Sequence, residues 1–200
     1  PLLSNPVAFF IDRLGRFFVV ETDRVNRGVT DLRSHMDWLE EDLAARTVAD
    51  RVELYRRHTP PDAFEATYAA HEDRVVRLVD SDGDGVLDER TVFADGYARP
   101  ESGVAAGFLA TTPDDGSTDA WFTCIPDLIR LVDSDGDGRA DVEAVHTTGF
   151  GLRVALLGHD LHGLEIGPDA RLYFSCGDRG FNVTTAEGRG HERKRTGARV

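Results

Sequence analysis

The stretch RLVDSDGDG occurs twice, at Arg77–Gly85 and again at Arg130–Gly138. The copies start at 77 and 130, a spacing of 53 residues. A fixed period of this size marks an array of similar units. Each copy sets an acid at every second position: Asp80, Asp82 and Asp84, then Asp88; Asp133, Asp135 and Asp137, then Asp141. Three carboxylates within five residues repel one another unless a cation sits among them. Oxygen ligands at loop positions 1, 3 and 5, a glycine at 6, a backbone carbonyl at 7 and an acid at 9 compose a calcium loop. The carbonyls at position 7 belong to Val86 and Arg139.

An EF-hand loop also needs a bidentate Glu at position 12. Here that position holds Thr91 in one copy and Ala144 in the other. The flanks RVVRLV and LIRLV are short and β-branched, which suits strands rather than helices. The copies therefore resemble the nine-residue DxDxDGxxD calcium loops that close β-hairpins in some propeller blades. The plainer alternative is an acidic Asp/Gly turn that holds no metal.

Working outward from the repeat, apolar runs bounded by turn residues recur along the chain. Residues 7–11 and 17–21 form one hairpin, split by Asp12-Arg13-Leu14-Gly15-Arg16. Residues 74–79 and 87–93 flank the first acidic loop, and 128–132 and 141–147 flank the second. Residues 103–110 and 119–124 form a further hairpin, and 161–166 and 171–176 another. Four strands in about fifty residues make one propeller blade. The expected fold is all-β: a partial β-propeller of about two and a half four-stranded blades. A closed ring needs four to eight blades, so residues 1–200 read as the N-terminal part of a longer propeller domain.

The alternation stops between residues 24 and 70, which are expected to form a helical insertion in the first blade. Leu32, Met36, Leu39 and Leu43 recur at helical spacing. Thr47-Val48-Ala49-Asp50 has the form of a capping box for a second helix carrying Val52 and Tyr55, and Pro60-Pro61 ends it. Packing against the domain is the simple role for this insertion, and a cap over a site is the sharper one. Thr184–Val200 is rich in Gly, Arg and Lys, and reads as a loop or frayed end.

Composition narrows the function. With 23 basic and 36 acidic residues the formal charge is −13, which argues against a nucleic-acid surface. No apolar run is long enough to span a membrane as a helix. The chain opens at Pro1 without a methionine, consistent with a removed export signal and a periplasmic or cell-envelope location. Cys124 and Cys176 follow the matched contexts Trp121-Phe122-Thr123 and Tyr173-Phe174-Ser175, and so belong at equivalent places in neighbouring units. The pair is compatible with a disulfide, but two half-buried thiols is the simpler reading. No CxxCH occurs, so the chain attaches no c-type haem itself.

Residues 158–182 read GHDLHGLEIGPDARLYFSCGDRGFN and could carry chemistry. His159 and His162 flank Asp160; Leu164 and Ile166 alternate inward with Glu165 outward; Gly167-Pro168-Asp169 turns the chain. Asp178 and Arg179 follow, either as an ion pair fixing the blade corner or as site residues. The pattern H-x-x-H-G-L-x-x-GPD-x-x-LYF-x-x-GD-x-G resembles the signature blade of the soluble glucose, aldose-sugar and sorbosone dehydrogenases. Those are six-bladed propellers that use pyrroloquinoline quinone (PQQ). It is most similar to their planctomycete and verrucomicrobial membrane-bound dehydrogenase branch, which often carries a C-terminal c-type haem domain. That branch also has an IPDL-x-x-L-x-D-x-DGDG-x-AD segment, matched at Ile125–Asp141.

The resemblance implies an exported sugar or alcohol dehydrogenase passing electrons to a c-type haem domain or cytochrome outside this chain. It implies that His159, eight residues before Gly167, is the general base, with His162 as rival. Either Asp160 or Asp178 would orient the imidazole, and Arg179 would contact the quinone. A non-catalytic, calcium-stabilised propeller that binds carbohydrate or a protein partner is the alternative. A propeller hydrolase or lactonase using a channel metal is a weaker third.

Overall fold

The computed structural model describes residues 2–185, 190–193 and 198–199, with side chains to Thr184. The first sheet holds β1 (Pro6–Ile11), β2 (Phe17–Glu21), β3 (Asp73–Val79) and β4 (Glu89–Tyr97), hydrogen-bonded antiparallel in that order. The second holds β5 (Ala105–Thr111), β6 (Thr118–Cys124), β7 (Asp127–Asp133) and β8 (Val142–Phe150), again in chain order. β9 (Leu161–Ile166) and β10 (Leu172–Cys176) pair in a third. Each strand falls on a run expected from the sequence, because alternating β-branched and aromatic residues bounded by Gly, Asp and Pro satisfy a pleated, half-buried surface. Both acidic repeats close β-hairpins, β3–β4 and β7–β8, and neither is flanked by helices.

The C-terminal stretch departs from expectation. Instead of a loop, β11 (Phe181–Thr185) pairs with β8 and extends the second sheet, and β12 (Gly190–Arg193) pairs with β11. β13 (Ala198–Arg199) returns to pair with β10. The rest of the expected loop, residues 186–189, 194–197 and 200, lies outside the described residues. The free edge of β8 offered unpaired backbone groups, and a strand supplied from farther along satisfies them despite its polar composition. The described residues form several antiparallel sheets and no closed ring.

Inner strand β5 packs between β1 and β9, so the three sheets stand side by side. Its run is apolar on both faces, as a strand buried on both sides requires. Phe108 and Ala110 join Phe18, Val75, Phe93, Phe122 and Leu131 in the core between the first two sheets. Leu109, on the other face, joins Leu128, Phe150, Leu161, Leu164, Phe174 and Phe181 in the next core. Trp121 and Tyr173 are only partly buried, while Phe122 and Phe174 are interior. β9 breaks the simple alternation: Leu164 is buried but Ile166 is 42% exposed. A register shift between His162 and Glu165 and a positive φ of 72° at Gly163 put Leu161 and Leu164, three residues apart, on the same buried face.

The insertion lies between β2 and β3 and contains α1 (Leu39–Ala44), α2 (Val48–His58) and α3 (Phe64–Tyr68). The expected stripe from Leu32 to Leu43 does not form one helix. Two 3₁₀ turns, Leu32–Ser34 and Met36–Trp38, precede α1 and break the spacing. Met36 and Leu43 are left 57% and 50% exposed, while Trp38 and Asp42 are buried instead. Trp38 is stacked between the rings of His35 and His58, at 4.0 and 4.6 Å between centroids. The capping box at α2 is present: Asp50 N–H donates to Thr47 Oγ at 3.1 Å, and Thr47 N–H donates to the Asp50 carboxylate at 2.9 Å. Tyr55 is buried, Val52 partly so, and the helix stops at His58 before Pro60.

The two ends of the sheets differ. The β1–β2, β3–β4, β5–β6 and β7–β8 turns share one end. There Arg16 bonds Asp12 at 2.7 Å and also reaches the carbonyl of Gly116 and the hydroxyls of Thr112 and Thr118. The insertion covers the other end. Arg51 donates to the Glu101 carbonyl at 2.6 Å, Leu32 N–H to the Ala155 carbonyl at 3.0 Å, and Val154 N–H to the Asp42 carboxylate at 2.5 Å. Burial raises the Asp42 carboxyl above its ordinary range, and the Val154 N–H partly opposes that.

Candidate functional site

In the first acidic loop the chain turns tightly about Asp80. Its Oδ1 accepts from Gly83 N–H at 2.7 Å, and its Oδ2 from Gly85 N–H at 2.8 Å. The second loop repeats this at Asp133, which accepts from Gly136 N–H at 2.8 Å and Gly138 N–H at 3.0 Å. Carboxylate oxygens of Asp80, Asp82 and Asp84 gather within 4.8 Å of one another, as do those of Asp133, Asp135 and Asp141. These two clusters could hold a metal such as calcium, since hard carboxylate oxygens at this spacing suit it.

The remaining expected ligands fall differently. Asp88 accepts from the Ser81 N–H and hydroxyl, both at 2.9 Å, and lies outside its cluster. Asp137 accepts from Arg139 N–H at 2.8 Å and lies outside the other. Val86 N–H donates to Asp84 at 2.8 Å, so Val86 and Arg139 occupy matching places in the two turns. Ser134 mirrors Ser81, donating to Asp141 from N–H at 2.8 Å and from Oγ at 2.5 Å. The Ser81 N–H and then its hydroxyl hold the Asp88 carboxyl below the usual range; the Ser134 hydroxyl and then its N–H do so for Asp141. The serines were not singled out from the sequence, although both repeats carry Ser at loop position 2.

The loops differ in setting. Asp133 is fully buried and Asp80 is not. Arg77, on β3 of the first sheet, donates to the carbonyls of Gly136 and Asp137 at 3.4 and 3.2 Å. Gly138, at φ +92°, permits this approach: a Cβ there would lie 2.1 Å from the Arg77 Cζ. The second loop therefore stitches two sheets together.

The expected catalytic residues lie at the opposite end, beside the insertion. His159 precedes β9 and Asp178 follows β10, and His159 Nδ1 bonds Asp178 Oδ1 at 2.8 Å. Both side chains are about half exposed. His162 does not join them; its ring lies 3.4 Å from the Ser175 hydroxyl. The ion pair considered between Asp178 and Arg179 is absent. Arg179 turns inward and faces Asp160, with 3.5 Å between Nη1 and Oδ1. Arg179 is fully buried in this arrangement. Both residues sit in the turn that follows β10, where Asp178 emerges to solvent and Arg179 enters the core.

Both cysteines are free and fully buried rather than half-buried, at the ends of equivalent strands β6 and β10. Burial pushes the Cys176 thiol up to about 11 and that of Cys124 higher. A cleft of about 560 Å³ opens between the first turns of α2 and the Pro126–Asp127 turn, but none of the residues expected to be functional lines it. Among the described residues, no helix is long and apolar enough to cross a membrane.

Fold and site together define a mostly-β domain of several antiparallel sheets, with a short helical insertion and two acidic clusters able to take a metal. The model of a family described as a domain of unknown function, DUF7133, matches residues 1–199, and the chain belongs to that family. No curated protein and no solved structure matches it.

Proposed function

We propose that this chain is the N-terminal part of an exported propeller that oxidises a hydroxyl of a sugar or alcohol, with His159 as general base. One observation carries the reading: His159 Nδ1 is bonded to Asp178 Oδ1 at 2.8 Å while the ring remains about half exposed. A carboxylate on Nδ1 fixes the tautomer and leaves Nε2 free to take a proton from a substrate hydroxyl. The hydride would need an acceptor, which a quinone such as PQQ would supply, with a c-type haem domain or cytochrome downstream. Arg179, the expected contact, is buried against Asp160. We therefore draw no step through the quinone.

Propeller architecture is supported by the chain-order sheets β1–β4 and β5–β8, by the packing of β5 between β1 and β9, and by the recurrence of the acidic hairpin turn. Calcium is the metal that the all-oxygen clusters suit best. The burial of Arg179 favours a second reading, a calcium-stabilised propeller that binds carbohydrate or a protein partner without chemistry.

The test is dye-linked sugar oxidation by the quinone-reconstituted intact protein. His159→Ala should lower turnover by roughly 10²–10⁴-fold, the contribution of a positioned base. Unchanged turnover would move the role to His162, and no turnover in the parent protein would favour the second reading.

A further inference from the structure

We propose that the buried Asp160–Arg179 pair positions the exposed His159–Asp178 pair; its functional meaning, though not its geometry, rests on the general-base reading. His159 and Asp160 are consecutive, and so are Asp178 and Arg179. The outer members of these two dipeptides meet at 2.8 Å and the inner members at 3.5 Å. Two loops are thus joined by a hydrogen bond open to solvent and an ion pair inside the fold.

The inner pair is a poor stabiliser by construction. Asp160 is 1% exposed and Arg179 0%. Neither carboxylate oxygen of Asp160, and no guanidinium nitrogen of Arg179, has a hydrogen-bond partner among the described residues. The desolvation of such a pair offsets its attraction, and apolar side chains of similar volume would hold the loops at least as firmly. What the charges add is direction. They fix how deep residues 160 and 179 sit, and hence where 159 and 178 emerge.

The surrounding backbone leaves little slack. Gly151 N–H donates to the Gly180 carbonyl at 2.8 Å, and Arg153 N–H to the Arg179 carbonyl at 3.1 Å. A Cβ on Gly177 would lie 2.7 Å from the His159 Cβ and 2.8 Å from its carbonyl oxygen. The loops are in direct contact, so a shift of the inner pair passes to the outer one.

The test uses the intact protein labelled with ¹⁵N-histidine. The His159 ring signal is assigned by its loss in His159→Gln. In the parent protein it should report the Nδ1–H form held by Asp178. In Asp160→Leu combined with Arg179→Met, the melting temperature should hold or rise while that signal reverts to the free-imidazole mixture. Sugar oxidation should fall about 100-fold with KM little changed, as for a catalytic group misplaced by an ångström.

An unchanged His159 signal in the folded double variant overturns the proposal, whatever the activity. If the double variant fails to fold, Asp160→Asn is read in the same way. Collapse of both would make the pair a stability element and also overturn it. If the signal reverts but the parent protein oxidises no sugar, the positioning stands and the oxidoreductase reading falls.

Discussion

Asp141 has its carboxyl held low by two bonds from Ser134, one from the hydroxyl and one from the N–H. A depressed carboxylate stabilises the fold above its unfolded value, near 3.8, and loses that contribution as pH falls through the folded value. In calcium-free buffer, Asp141→Asn should therefore flatten the acid limb of the melting curve below about pH 4. Melting temperatures from pH 2 to 6 for parent and variant check this, and identical acid limbs would refute it. At this scale the sequence was legible in type more than in partner. The spacing of Asp80, Asp82 and Asp84 announced a cluster, and one forms. Which acid completes each cluster, Asp141 but not Asp88, depends on carboxylate directions set by loop closure.

At the scale of the element, α2 was readable from its first four residues. Thr47 and Asp50 exchange bonds with each other's backbone because a helix start leaves its first N–H groups without partners. Thr47→Ala should cost about 1 kcal/mol, measured by urea unfolding. Thr47→Ser should recover most of it, and an equal loss in both variants would put the role elsewhere. The preceding stripe was misleading for a reason of the same scale. Leu32 to Leu43 have helical spacing, but the capped 3₁₀ turn at Asp31 starts the chain in another direction, and Trp38 takes the buried place. Spacing alone cannot report a change of helix type. β11 and β12 were missed likewise, since pairing to the edge of β8 is a long-range event that polar residues such as Thr184 do not advertise.

For the whole molecule, the acidic loops and the His159–Asp178 pair lie at opposite ends of neighbouring sheets. Calcium, if bound, would act on stability at the end that carries the acidic turns. The second loop matters more to the assembly of sheets, because Arg77 reaches it from β3 and Ala140 N–H donates to the Phe93 carbonyl of β4 at 2.8 Å. Calcium at a hundredfold excess over Kd should add about 2.7 kcal/mol per site. That is a rise of roughly 5–10 °C in melting temperature for a chain of this size. Asp82→Ala with Asp135→Ala should abolish the rise, and calorimetry with and without calcium decides it; no calcium effect in the parent would remove the loop assignment.

The sequence by itself determined strands β1 to β10, the hairpin turns at both repeats, the helical interruption and the α2 cap. Each depends on neighbours within a few positions: side-chain alternation, glycine at the turn, a hydroxyl three residues before an acid. Only the tertiary structure decided that Asp178 meets His159 while Arg179 turns in to Asp160, that Arg77 crosses to the second loop, and that β11 completes β8. Those choices join residues from 19 to 60 positions apart. They are settled by which charges and backbone edges remain unsatisfied once the apolar faces have packed.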